Sequence, residues 1–322
     1  MSTFGTRYRT ATIDGLEIFY REAGHPDRPT LVLLHGFPSS SHMFRNLIEA
    51  LADEYHLIAP DHVGFGRSAM PAVTEFEYSF DKLTEITQRL LDHLGIARFC
   101  LYIHDYGAPI GLRIAGRQPD RVTALITQSG NAYVDGFTPF WEILFAHATD
   151  RAANEPLVRE LLTLDVTRWQ YTHGVPTDRL DRIAPETWLL AQAGMDRPGN
   201  KEIQLELFWD YQFNLEIYPS FQEYFRTHRP PTLITWGKND DIFGAAGAEA
   251  YLRDLPAAEM HLLDAGHFAL ETHGDEISEL IRSFLRRTVG RHTAGRRCAD
   301  RRLRSPGRTG ESTGRYRRRY PR

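Results

Sequence analysis

Three residues in the order aspartate, aspartate, histidine stand just past stretches that read as β-strands. Asp105 follows the apolar run 99–103, Asp240 follows 231–236, and His267 follows 258–263. Side chains at the carboxyl ends of neighbouring parallel strands share one crevice, so residues far apart in the chain can form one site. Each has an everyday use as well. An aspartate after a strand often forms a turn or caps a helix, and a histidine after Ala265-Gly266 reads as a loop residue. Taken together, and in this order, they can do covalent chemistry. A carboxylate attacks an electrophilic carbon without first losing a proton and becomes an ester. A histidine oriented by a second carboxylate can then deprotonate the water that cleaves that ester. The adjacent Asp241 is the alternative for the orienting acid.

The element that must position Asp105 is the stretch 101–115. Its first half is strand-like, and its second half places Ile110, Ile114 and Ala115 at helical spacing, with Pro109 tolerated in the first turn. Only His104-Asp105-Tyr106-Gly107 is left for the corner, so one residue there is strained and Gly107 lets the helix backbone pass close by. Upstream, the apolar strand 30–35 ends in His35-Gly36-Phe37-Pro38. The glycines of the octet Asp61–Ser68 fit Gly64-x-Gly66-x-x-Ala69, a dinucleotide-type spacing. A dinucleotide site needs a helix to begin at those glycines, and Met70-Pro71 follows instead.

The rest of the chain fills in an α/β pattern. Residues 10–21 read as two strands around Asp14-Gly15, 44–55 and 80–94 as helices, and 56–60 and 121–128 as strands. From about 133 to 227 the strand rhythm disappears, and 140–148, 155–164, 185–193 and 203–213 read as helices. Strands and helices then resume, closing with an amphipathic helix over 275–286. The expected architecture is α/β: a mostly parallel central sheet flanked by helices, with an inserted helical domain. The expected boundaries are 1–132 and 228–289 for the core, 133–227 for the insertion, and 290–322 for a tail.

Composition narrows the function classes. Of the 322 residues, 42% are hydrophobic and 25% charged, ordinary for a soluble protein. Cys100 and Cys298 make neither a disulfide framework nor a metal cluster, which points to a reducing, cytoplasmic setting. No signal peptide and no membrane-spanning apolar run is expected. Residues 290–322 hold twelve arginines against Asp300 and Glu311, a surplus of ten positive charges. Since the whole chain is −4, residues 1–289 carry −14. An acidic body argues against nucleic-acid binding by the core, and the tail, poor in apolar residues, is expected to be a disordered extension.

The corner His104-Asp105-Tyr106-Gly107, the turn His35-Gly36-Phe37-Pro38, the octet 61–68, Trp236-Gly237-Lys238-Asn239-Asp240 and Gly266-His267-Phe268 resemble the α/β-hydrolase superfamily. Within it, they resemble the epoxide hydrolase and haloalkane dehalogenase branch, over residues 10–288. The resemblance implies that Asp105 is the nucleophile, Asp240 the acid and His267 the base, with backbone N–H groups of Phe37 and Tyr106 as the oxyanion hole. Some dehalogenases place the acid after the strand that here ends at Ser129-Gly130-Asn131, where no acid stands. Tyrosines of the helical cap donate hydrogen bonds to an epoxide oxygen in such enzymes. Tyr211 is the expected donor, with Tyr171 the candidate second, His173 and Tyr133 competitors, and Trp169 a neighbouring wall.

An epoxide hydrolase, taking a small-molecule epoxide and water to a vicinal diol with no cofactor and no metal, is the leading expectation. A haloalkane or haloacid dehalogenase comes second. Ile103 matches dehalogenases, but Tyr106 and Phe37 replace the tryptophan and asparagine that hold halide there. Fluoroacetate dehalogenases share His-Gly-Phe-Pro but place arginine after the nucleophile, where this chain has Tyr106. The alternative of a different class is a ligand-binding protein without turnover. The sequence leaves the oligomeric state open.

Overall fold

A computed structural model describes residues 5–303. Eight strands form one sheet in the order β1-β2-β4-β3-β5-β6-β7-β8. The strands are β1 (Arg7–Ile13), β2 (Leu16–Ala23), β3 (Thr30–Leu34), β4 (His56–Pro60), β5 (Phe99–His104), β6 (Val122–Gln128), β7 (Thr232–Gly237) and β8 (Glu259–Leu263). β1 and β2 form a hairpin, β2 runs antiparallel to β4, and all other pairings are parallel.

Parallel strands are covered on both faces, so both alternating side-chain rows are apolar. Val32, Leu34, Leu101 and Ile103 point into one buried layer. Leu31, Leu33, Cys100 and Tyr102 point into the other. The chain runs outward from β3 to β4, then returns to place β5 on the other side of β3. Strand order reverses between β3 and β5, and ligands of open α/β sheets bind at such a switch point. Phe37 and Asp105 stand at the two ends that meet there.

Five helices pack on the sheet: α1 (Arg45–Leu51), α2 (Phe80–His93), α3 (Gly107–Arg117), α10 (Ala245–Asp254) and α11 (Ala269–Leu303). Six lie between β6 and β7: α4 (Glu142–Thr149), α5 (Arg151–Arg159), α6 (Leu164–Thr172), α7 (Glu186–Met195), α8 (Asn200–Asp210) and α9 (Gln212–His228). The helix expected at 155–164 lies four residues earlier, as α5. The one expected at 203–213 is two helices, broken at Tyr211, where the Asp210 carboxylate accepts the Phe80 N–H at 2.7 Å. α6 was not expected at all. Val166, Thr167, Tyr171 and Thr172 are weak helix formers, and packing against α7 overrides their preference.

The last helix starts directly after His267-Phe268, bends at His273, and runs to Leu303. It therefore continues into 290–303, where a disordered tail was expected. Arginine and alanine are good helix formers, and extending an existing helix needs no new nucleus. The tail beyond 303 lies outside the described residues. Among the described residues no helix is long and apolar enough to cross a membrane.

Candidate active site

The corner between β5 and α3 is two residues long, and Asp105 takes it with φ of 48°, in the left-handed region. Two glycines make room for it. A Cβ on Gly36 would overlap the Asp105 carboxylate, and one on Gly107 would collide with the Leu34 carbonyl. The carboxylate is thus held against the end of β3. Its Oδ1 accepts the Phe37 N–H at 2.6 Å, and the Tyr106 N–H also bonds to it.

His267, on the loop after β8, turns its two ring nitrogens in opposite directions. Nδ1 lies 3.0 Å from Asp240 Oδ2, and Nε2 lies 3.8 Å from Asp105 Oδ2. Asp240 is itself fixed: its Oδ1 accepts the N–H groups of Ile242 at 2.8 Å and Phe243 at 3.1 Å. A carboxylate saturated this way holds Nδ1 as the donor and leaves Nε2, which has no hydrogen-bond partner, as the basic atom. Gln128 donates to the His267 carbonyl at 3.2 Å and anchors the loop to the end of β6. Asp241 is exposed and pairs with His173 instead.

All three side chains are buried. Burial pushes the Asp105 carboxyl up, against the pull of His267 and the two N–H groups, and Asp240 adds to the rise; it reaches about 6. For His267, burial works against the charged ring, but Asp240 and Asp105 outweigh it and the net shift is upward. The pair can attack as a carboxylate and accept a proton as an imidazole near neutrality.

Tyr211, between α8 and α9, is buried and feels the charge on Asp105. Its hydroxyl lies 3.2 Å from that of Tyr218, two turns along α9. Tyr218 also feels Asp105, and its oxygen accepts from Asn131 Nδ2 at 3.3 Å. Tyr218 was not among the expected donors. The helix was expected to stop at 213, so the seven-residue spacing from Tyr211, which puts both phenols on one face, went unused. Asn131 stands after β6, where no acid was found.

Four other expectations are corrected. Tyr171 stacks on Phe268 at 3.9 Å, and its hydroxyl faces the Arg45–Glu271 ion pair rather than Asp105. His173 is half-exposed and bonds Asp241 at 2.6 Å. Trp169 stacks between His173 and Phe140. Tyr133 donates to Asp254 at 2.7 Å. The first three share a cause: α6 lies beside the β7 and β8 loops, with the His173 carbonyl against Gly266, so its aromatics cover the outer side of the histidine loop.

Two indoles of the same apolar layer are also committed. Trp141, 4.4 Å from Tyr211 between ring centres, gives its N–H to the Ile242 carbonyl at 2.8 Å, and Trp236 gives its own to Phe243 at 2.7 Å. Among the described residues no group of three or more metal-ligating side chains is found.

The sequence model described as alpha/beta hydrolase fold matches residues 29–274. An uncharacterized hydrolase of Saccharomyces cerevisiae is 43% identical, over 88% of this chain and 98% of its own length. A haloalkane dehalogenase of Mycolicibacterium paratuberculosis is 40% identical, over 84% of this chain and 87% of its own length. The solved structure of an epoxide hydrolase, CorEH, is similar with a TM-score of 0.69 at 21% identity, covering 87% of this chain and 99% of that one. At that identity it shares the fold.

Proposed function

The chain belongs to the alpha/beta hydrolase fold family, and on that premise we propose that it hydrolyses an epoxide to a vicinal diol through an ester on Asp105. One observation carries the choice of substrate: two buried phenols, Tyr211 and Tyr218, hydrogen-bonded to each other within the field of Asp105. Opening an epoxide creates an alkoxide, which needs a proton donor, and a departing halide does not. With Asn131 donating to Tyr218, the pair keeps an O–H free for the substrate oxygen.

Asp105 attacks a ring carbon, the carbon–oxygen bond of the ring breaks, and the oxygen takes a proton from the phenol pair. His267 Nε2 then removes a proton from water, whose oxygen attacks the ester carbonyl. The Phe37 and Tyr106 N–H groups hold the oxyanion, each worth roughly 3–4 kcal/mol in comparable sites. Collapse frees the diol. The two protons of the water end on the second diol oxygen and on the phenolate, so both groups are restored. Helices α4–α9 act as the cap that shapes the substrate. The buried, unpaired Cys100 fits a reducing, cytoplasmic setting.

The relative named haloalkane dehalogenase supports a second reading, expulsion of halide by the same aspartate. Against it, both indole N–H groups near the site are bonded to carbonyls. Intact mass of His267→Gln protein mixed with epoxides and with haloalkanes separates the readings, because the ester should form and persist. An adduct weighing the whole epoxide is the expected result. An adduct lacking halide, seen only with haloalkanes, transfers the function to the second reading, and folded protein with no adduct removes both.

A further inference from the structure

Arginines of this acidic body commonly sit against carboxylates, as Arg45, Arg151 and Arg282 do. Three that do not converge on one cavity. Arg21 on β2, Arg67 in the loop after β4 and Arg197 between α7 and α8 line a space of about 280 Å³ between the core and the helical insertion. Among the described residues, no carboxylate oxygen lies within salt-bridge distance of any of them. Arg21 spends its Nε on Ser41 at 3.1 Å and a terminal nitrogen on His42 Nδ1 at 3.4 Å while lying over the Tyr8 ring, and Arg197 spends two nitrogens on the Gly194 and Gly64 carbonyls. The Arg67 guanidinium bonds to nothing and lies over the Phe19 ring.

The one acid of the cavity, Asp61, is buried and committed elsewhere, accepting the N–H groups of Ser41 at 2.7 Å and Arg67 at 2.8 Å. The net charge of the lining is therefore +2. The remaining wall is largely apolar, with Phe65, Leu190 and Met195 prominent. Gln204, fully buried in the same wall, leaves its Oε1 without a partner.

This cavity abuts the candidate active site. Pro38 lines it, next to the Phe37 whose N–H holds Asp105, and Phe65 lines it while packing edge-on against Tyr106 at 6.3 Å. A largely apolar cavity with a net positive lining suits an aliphatic chain ending in an anion. Guanidinium matches a carboxylate by paired N–H donors. We infer that Arg21, Arg67 and Arg197 bind the carboxylate of an aliphatic acid whose reactive carbon lies at the far end, toward Asp105. The reactive end rests on the alkylation chemistry proposed above; the binding end does not.

Binding is therefore tested apart from turnover. Calorimetry with octanoate, and with octanol as its uncharged counterpart, is run on the full chain, on Arg67→Gln, and on Arg21→Gln/Arg67→Gln. Octanoate affinity should fall about threefold in the single variant and on the order of tenfold in the double, while octanol shifts by less than about twofold. Arg67 is exposed and bonded to nothing, so its variant keeps the test valid if the double variant unfolds. Octanoate that fails to bind the unaltered chain, or two ligands that shift alike, would overturn the assignment.

A second measurement follows ester formation on His267→Gln protein with the terminal epoxide of octanoate and that of octane. Faster esterification by the charged substrate, by about tenfold, supports the site. Equal rates overturn it while leaving the epoxide reading intact. Octanoate binding as expected with no ester from either epoxide would keep the site and sink the alkylation reading.

Discussion

Asp105 carries a charge where solvation is poor, and that charge costs stability. Its carboxyl rises to about 6, chiefly through burial. The folded chain therefore holds this proton more tightly than the unfolded one, and stability is lost as pH rises from the ordinary carboxylate range through about 6. Asparagine has the same shape without the charge, and it tolerates the left-handed backbone of the corner. Asp105→Asn should abolish turnover and raise stability at pH 7 by on the order of 3 kcal/mol, read by chemical denaturation; a lowered midpoint would show that the carboxylate is a net stabiliser. On the proposed mechanism the same ionisation governs reactivity. Only the carboxylate attacks, and His267→Gln removes a charge that lowers the Asp105 carboxyl, so the esterification rate of this variant should rise with pH and level off only above a value higher than about 6. A rate that does not fall even well below the ordinary carboxylate range would exclude Asp105 as the nucleophile. In the ester the charge on Asp105 is gone, and with it one of the causes that raise His267. The base is therefore more readily neutral in the intermediate, when it is needed, than in the free protein.

At the scale of elements, the sequence showed the sheet more clearly than the insertion. Strands buried on both faces are unbroken apolar runs, so β3, β5, β6 and β7 were legible to within a residue or so. The corner at Asp105 was legible because only three residues separate Ile103 from Gly107, with no room for any other turn. Side chains of the insertion were not, since helix phase decides which aromatic faces the site, and the true start and end of α6 and α9 depend on contacts. Tyr171 was placed in the site and lies behind His267; Tyr218 was absent and lies beside Tyr211. Tyr211 at the N-cap of α9 and Tyr218 within it thus present both phenols together, and on the proposed mechanism they act only when the ring oxygen takes up charge. Tyr211→Phe and Tyr218→Phe should each slow ester formation from an epoxide, with the loss approaching about 10²-fold in the double variant, while hydrolysis of a preformed ester is unchanged. Single-turnover kinetics resolve the two steps. A loss confined to the hydrolytic step would remove the phenols from ring opening.

For the molecule as a whole, the difficulty is access. Asp105 is 5% exposed and Tyr211 and Tyr218 are each 2% exposed, so the reacting groups are closed off between the sheet and the helices above them. α7 and α8 meet the core through few polar contacts, beside the apolar packing of Ile203 and Phe208. Asn200 donates to the Gly64 carbonyl at 2.6 Å, Arg197 to the same oxygen at 3.3 Å, and Phe80 to Asp210 at 2.7 Å. Hydrogen bonds of this kind contribute about 1 kcal/mol each, against strands whose side chains are buried on both faces. Opening of α7 and α8 away from the 61–68 loop should therefore be far less costly than global unfolding. It is also the opening that widens the arginine-lined cavity toward Asp105. Hydrogen exchange followed by mass spectrometry should show α7 and α8 exchanging well before β3 and β5, and slowing once the ester is trapped on His267→Gln protein. Asn200→Ala should speed that exchange without changing that of the strands. Exchange of α7 and α8 only by global unfolding would mean that substrate enters by another route, and the cavity would then be a closed chamber rather than the way in.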